Sequence, residues 1–336
     1  MGANAEGKRC GGIMAEKSVM RSFKKWAASG IVILCILLLG ASGYGFYMYM
    51  SLKDTAEKMY EPLVRLESTE RIDPIFENPV QVTDTSDRAA APSVHAFTVL
   101  LLGIDQRNEE QGRSDTIMVL TYNPEREKLL MVNIPRDTRS LIVGKGIEDK
   151  MNHAYAFGGT AMSVATVENF LGITIDYYIK VNMKGFQQII DAFDGVQVNN
   201  KASFTYEGVR FPEGNLELDG KEALLYSRMR MEDPRGDLGR NERQQQVIGS
   251  LLNKGKSIKT LAVLNEILEI VGEQVRTNFT FDEMKQMVWD YKDRINSVEA
   301  DEIAGEGSMI DGIYYYIVED EERRRIHELI MNQLKG

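Results

Sequence analysis

Cysteine and histidine are nearly absent from this sequence. Its two cysteines, Cys10 and Cys35, fall at the start, and only His95, His153 and His327 follow at wide intervals. Beyond Cys35 this excludes a disulfide, a thiolate nucleophile and any cysteine-based metal site. Three isolated histidines do not suit a three-histidine metal centre. Chemistry in the bulk of the chain must therefore use carboxylates, guanidinium groups, hydroxyls and amides.

Positive charge is scarce as well. The 336 residues hold 40 Lys+Arg against 50 Asp+Glu, a formal net charge of −10. Residues 1–25 contain six Lys/Arg and two Glu, a balance of +4, so residues 26–336 carry −10 − 4 = −14. Such an excess offers nucleic-acid phosphates no general binding face, so no nucleic-acid partner is expected.

Charge of either sign is missing altogether between Lys25 and Lys53, where "GIVILCILLLGASGYGFYMYM" forms an apolar run with an aromatic end. About 20 such residues suffice to cross the hydrocarbon core as a helix, and Trp26 and Tyr44, Phe46, Tyr47 and Tyr49 suit the two interfaces. The sequence predicts a cytoplasmic tail over 1–25, a transmembrane helix over 26–52 and an extracellular remainder, by the positive-inside rule. A signal peptide cleaved near "ASG" (41–43) is the alternative, against which the run is longer than a usual signal core.

Residues 53–95 read as a stalk and linker, polar at first and then marked by Pro74, Pro79 and Pro92. From 96 to 336 the texture is that of one domain. "FTVLLLGID", "DTIMVLTYN" and "KLLMVNIP" are apolar runs of strand length, covered on both faces by their continuity. "TAMSVATVENFLG" has helical spacing and stops at Gly172; "YYIKVN" and "VQVNN" read as strands around a helix ending at Gly195. "FTYEGVRF" reads as a hairpin turning at Glu207-Gly208, Asp219 as a cap for a helix over 220–226, and 238–256 as a longer helix. The alternation predicts a layered α/β/α fold around a central mixed sheet, preceded by the membrane helix.

Within this acidic domain, "YSRMRMEDPRGDLGRNERQQQ" gathers Arg228, Arg230, Arg235, Arg240 and Arg243 with Asp233 and Asp237. Read as an extended segment, Arg228 and Arg230 leave one face. Arg240, Arg243, Gln244 and Val247 form one helical stripe in the first turns, where free N–H groups favour anions. Guanidinium forks meeting at a helix start make a phosphate clamp. Surface ion pairing with Glu232, Asp233, Asp237 and Glu242 is the competing reading. Asp105 in "LLGID" and Asp115 in "GRSDT" would share one sheet edge if their strands are neighbours, and oxygen ligands of that kind suit Mg²⁺. "IPRDT" sets Arg136 and Asp137 just past the third strand, where open α/β sheets build sites.

The ordered set "LLGID…GRSDT…IPRDT…KMNHAYAFGG…YSRMR…DPRGDLGR…RQQQ", spanning about 97–255, resembles the LytR–CpsA–Psr family of Gram-positive cell-envelope proteins. None of these positions departs from the family pattern, whereas the stalk and the C-terminal tail after about residue 256 carry no matching motif. The resemblance implies a phosphotransferase that moves a glycopolymer, such as wall teichoic acid or another wall or capsular polysaccharide, from a polyprenyl-pyrophosphate carrier to peptidoglycan. It implies Asp105 and Asp115 as ligands of Mg²⁺, Arg113, Arg136, Arg228, Arg230, Arg240 and Gln244 as substrate-binding, and Asp237, Asp137 and Arg136 as catalytic. The lipid carrier would need an apolar slot, for which residues 170–193 are candidates, though the same residues would serve an ordinary core. A hydrolase acting on the same pyrophosphate with water, and a non-catalytic glycopolymer binder, are the alternatives.

Overall fold

The computed structural model describes residues 37–66, 75–76, 95–105, 112–255, 261–291 and 294–335. The chain divides into two compact units, Met1–Asp54 and Thr55–Gly336. Residues 37–59 are helical and form α1, which contains all of the first unit that is described. Of the expected membrane span over 26–52, residues 26–36 lie outside the described residues. Among the described residues no helix is long and apolar enough to cross a membrane.

The second unit opens with β1 (Phe97–Asp105), β2 (Arg113–Asn123), β3 (Lys128–Asn133) and the hairpin β4 (Arg139–Ile142) and β5 (Ile147–Lys150). Then come α2 (His153–Leu171), β6 (Tyr177–Asn182), α3 (Met183–Ala192), β7 (Val196–Asn200), β8 (Phe204–Tyr206), β9 (Val209–Phe211) and β10 (Gly214–Leu218). The helices α4 (Gly220–Arg228), α5 (Asp237–Gly255) and α6 (Leu261–Gln274) follow. The chain closes with β11 (Val275–Thr277), α7 (Phe281–Tyr291), β12 (Ser297–Glu302), β13 (Glu306–Ile310), β14 (Ile313–Ile317) and α8 (Asp320–Leu334).

Six strands form the central mixed sheet in the order β11-β6-β1-β2-β3-β12. β1 runs parallel to β6 and antiparallel to β2, and β3 runs parallel to β12. The two-residue period of a strand sends Leu100, Leu102 and Ile104 to one face, where they meet Val164, Val167 and Phe170 of α2 and Ile326 and Ile330 of α8. Leu101, Met118 and Met131 face the other way, against Ile248 and Leu252 of α5. Burial on both faces explains why the first three strands read as unbroken apolar runs.

Local signals act where the sequence put them. Gly172 takes φ 66° and ends α2, and Asp219 and Glu222 close a full capping box on α4. Glu207 and Gly208, both at positive φ, turn the β8–β9 hairpin. β7 does not join the main sheet but pairs with β10 beside a second core built on Tyr226, Phe211 and Val247. The motif-free tail is integral: it supplies both edge strands, β11 and β12, and its α8 seals one sheet face.

Within the segment read as a stalk, residues 60–66 lie along the domain. Glu61 N–H donates to Thr277 O at 2.8 Å, and Arg65 meets Glu168 at 2.8 Å.

Candidate active site

The carboxyl ends of β1, β3, β6 and β12 and the start of β2 lie on one edge of the sheet, as their pairing requires. At that edge the β1–β2 ladder slips: Gly103 pairs with Thr116 and Ile104 with Ser114, leaving Asp115 as the extra residue of a bulge. A bulge frees one side chain from the alternation and re-aims it. Glycine is needed opposite, because a Cβ on Gly103 would stand 2.9 Å from Thr116 Cβ. Asp115 and Asp105 thus come to the same edge.

The loop after β3 brings Arg136, whose Nη1 donates to Asp115 Oδ1 at 2.7 Å. Its neighbour Asp137 receives Lys150 Nζ at 2.9 Å on Oδ1, while Arg136 and Arg230 stand 3.7 and 3.8 Å from Oδ2. This loop is held from two sides. Asn152 N–H donates to Arg136 O at 3.1 Å and Tyr316 N–H to Asp137 O at 2.9 Å.

The arginine-rich segment joins α4 to α5. Arg228 is not in an extended stretch, as its spacing suggested, but in the last turn of α4, and the cap residue Met229 is extended. Arg228 Nη2 reaches Asp105 Oδ2 at 3.3 Å. The loop is pinned to α5 by Arg243, which donates to Tyr226 O at 3.0 Å, to Met229 O and to Asp233. Asp233 in turn packs so tightly on Gly239 that any Cβ there would overlap its carboxylate. Arg235 pairs with Glu242. The stripe on α5 is therefore divided: Arg243 ties the loop, while Arg240 faces the site and donates to Asp237 Oδ2 at 2.9 Å. Gln244 is buried and bridges elements, accepting from Asn133 Nδ2 at 3.2 Å.

Burial and charge perturb these groups. Burial, reinforced by Asp137, raises the Asp237 carboxyl above its ordinary value against the pull of Arg240 and Arg136. Burial also lowers the Arg240 guanidinium, with the like charge of Arg136 adding to it. Arg136 resists its own burial and is raised, chiefly through Asp115 and then Asp137 and Asp237. Asp237 Oδ1, Arg136 Nε and Arg240 Nε are buried without a hydrogen-bond partner among the described residues. Unmade bonds of that kind are costly unless a ligand completes them.

Two cavities meet at Asp115, Arg136 and Arg230, which line both. One has Arg228, Arg240 and Gln244 at the charged part and Leu101, Val181, Met183, Phe186, Leu224 and Ile248 along the rest. The other is wide and polar, bordered by Asp105, Arg113, Asp137, Lys150, Asp237 and Tyr314. Of the candidate lipid-slot segment 170–193, only Val181 to Phe186 contributes to the apolar cavity; Phe170, Leu171, Ile173, Ile175 and Tyr178 are core on the opposite sheet face.

The sequence-predicted residues Asp105, Arg113, Asp115, Arg136, Asp137, Arg228, Arg230, Asp237, Arg240 and Gln244 all border these joined cavities. Lys150 and Tyr314 were not anticipated. Lys150 stands in "KMNHAY" beside His153, which pairs with Asp149 at 2.8 Å; Tyr314 comes from the motif-free tail. Among the described residues no group of three or more His, Cys, Asp or Glu could hold a metal. Asp105 and Asp115 offer oxygen donors only, a partial set that fits a hard cation sharing phosphate oxygens and water, and not one caged by protein alone.

Known proteins resemble this chain over most of its length. The chain is 42% identical over 306 residues to the "Polyisoprenyl-teichoic acid--peptidoglycan teichoic acid transferase TagU" of Halalkalibacterium halodurans, covering 90% of this chain and 96% of that protein. The crystal structure of B. subtilis TagU is similar at 42% identity and a TM-score of 0.59, covering 72% of this chain and 98% of that one. A structure described as TagT bound to LI-WTA is similar at 28% identity and a TM-score of 0.64, covering 82% and 100% respectively. The LytR_cpsA_psr family profile matches residues 46–331, tail included, and this chain belongs to the LytR–CpsA–Psr family.

Proposed function

We propose that this chain transfers a glycopolymer, wall teichoic acid or another wall or capsular polysaccharide, from a polyprenyl-pyrophosphate carrier to peptidoglycan. The carrying observation is the convergence of Arg136, Arg228, Arg230 and Arg240 where an apolar cavity meets a polar one. A lipid pyrophosphate has that same division, an isoprenoid chain on one side of a doubly charged head. The TagU relatives, named as transferases, support transfer over hydrolysis by the same site.

In the reaction an acceptor hydroxyl oxygen forms a bond to the glycan-bearing phosphorus. The bond from that phosphorus to the bridging oxygen breaks, and polyprenyl phosphate leaves with the electron pair. Arg136, Arg230 and Arg240 neutralise charge on the phosphate oxygens, which is the main demand of phosphoryl transfer. Arg113, at the exposed rim, and Gln244 complete the binding. Asp237 takes the hydroxyl proton: its Oδ1 is unengaged among the described residues and its raised pKa makes it the stronger base. Asp137, held by Lys150 and flanked by two arginines, is better placed to orient those cations. Mg²⁺, held by Asp105 and Asp115, would supply further neutralisation of the pyrophosphate.

The proposal includes the topology: residues 1–25 cytoplasmic, a single membrane helix over 26–52, and the domain of 96–336 outside, sharing a membrane face with the lipid substrate. The test is transfer of a labelled lipid-pyrophosphate glycan to peptidoglycan by the detergent-solubilised full chain, with and without chelator. Release of glycan phosphate at the same rate without peptidoglycan would overturn transfer in favour of hydrolysis. Full activity in chelator would overturn the metal.

A further inference from the structure

The hairpin β13–β14 belongs to the tail and carries three consecutive tyrosines. Two are committed to the fold. Tyr316 is buried, donating its hydroxyl to Ile303 O at 3.0 Å, and Tyr315 is buried beneath Lys150 and Arg139, each 5.9 Å from its ring centre. Tyr314 is different: it stays 44% exposed and borders the wide polar cavity.

Several features fix that ring where it is. Tyr316 N–H bonds to Asp137 O, so the strand bearing Tyr314 is stitched to the loop that carries Arg136 and Asp137. Tyr314 pairs across the hairpin with Met309, and its ring lies over the backbone of Gly307, where an added Cβ would come 2.8 Å from ring and hydroxyl atoms. Asp311 and Gly312, both at positive φ, close the hairpin tightly. Burial raises the phenol's pKa, with Asp137 and then Asp237 adding to it, so the hydroxyl stays neutral. Met231, 83% exposed, is the other large apolar side chain on the same cavity.

Given the proposed function, the lipid takes the apolar cavity and the acceptor must approach the phosphates from the wide one. We infer that Tyr314, presented by the β13–β14 hairpin, is a positioning residue for the acceptor, stacking its ring on the apolar face of a pyranose of the peptidoglycan glycan strand. Aromatic rings offer large, stiff contact area at small entropy cost, and a sugar ring presents axial C–H groups to match.

The test uses the full chain in the transfer assay, varying peptidoglycan and lipid-linked donor independently. Tyr314→Ala should raise the KM for peptidoglycan about three- to tenfold, the range of one aromatic contact, leaving donor affinity and the rate at saturating acceptor within about twofold. Tyr314→Phe should restore most of the loss and Tyr314→Leu should not. Weakened donor binding with unchanged acceptor KM would assign the ring to the donor glycan and overturn the inference. So would an unchanged KM, or equal failure of Phe and Leu. Absence of transfer by the unsubstituted chain would instead count against the proposed function, which keeps the two apart.

Discussion

Replacing Arg240 by lysine tests the clamp at its most buried member. Its side chain is only 5% exposed, one end is spent on Asp237 and its Nε is buried without a partner among the described residues. Lysine keeps the charge but has a single ammonium, so it cannot serve Asp237 and a phosphate oxygen as a fork does. Losing one charge-assisted hydrogen bond costs roughly 1.5–3 kcal/mol, or about ten- to 150-fold in kcat/KM. The assay is transfer of labelled lipid-pyrophosphate glycan to peptidoglycan, with circular dichroism to confirm folding. Arg235→Lys is the matched comparison, because Arg235 is 46% exposed and engaged by Glu242 away from the cavities. It should stay within about twofold, as exposed pairs contribute ~1 kcal/mol or less. Wild-type kcat/KM in Arg240→Lys, or equal losses in both variants, would refute the division of the arginine cluster into clamp and scaffold.

Three further outcomes are expected. If Asp237 is the base, kcat/KM falls as pH falls through its raised pKa, so the acid limb lies above the ordinary carboxylate range; Asp237→Asn should remove that limb and about 10²–10⁴ of the rate, and an unchanged limb would clear Asp237 of the role. Gly103→Ala forces Thr116 aside and should shift the Asp115 bulge, costing about 1–3 kcal/mol of stability and most of the activity; a fully active variant would show that the bulge does not aim Asp115. Arg323, in α8, is buried, donates to Phe170 O at 3.0 Å and lies 4.9 Å over the Phe170 ring, so Arg323→Ala should lower Tm by several degrees, at about 2–4 °C per kcal/mol, without changing kcat of the folded protein; an unaltered Tm would contradict that packing.

Much of the architecture was legible because its causes are local. The apolar runs at 97–105 and 128–133 needed only the continuity of a strand buried on both faces. Gly172, the Asp219–Glu222 box and the Glu207-Gly208 turn act through residues within three or four positions. The helical stripe from Arg240 to Val247 is a consequence of 3.6 residues per turn, and all four of its residues are buried. The grouping of candidate residues was legible too, since Arg228, Arg230, Arg235, Arg240 and Arg243 cluster in a domain that is otherwise acidic.

Tertiary structure decided which of those groups work together. Periodicity could not separate Arg240, facing the cavity, from Arg243, three positions on and turned to Tyr226 O and Asp233, because that depends on how the loop after α4 folds back. Nor could it place the bulge that frees Asp115, which is a property of two paired strands and not of either one. The tail had no motif to read, yet it forms both edges of the sheet and brings Tyr314 to the site; its contribution rests on pairings such as β3 with β12 that span more than a hundred residues. Contacts at that separation are chosen by the packing of the whole domain, so only the folded chain reveals them.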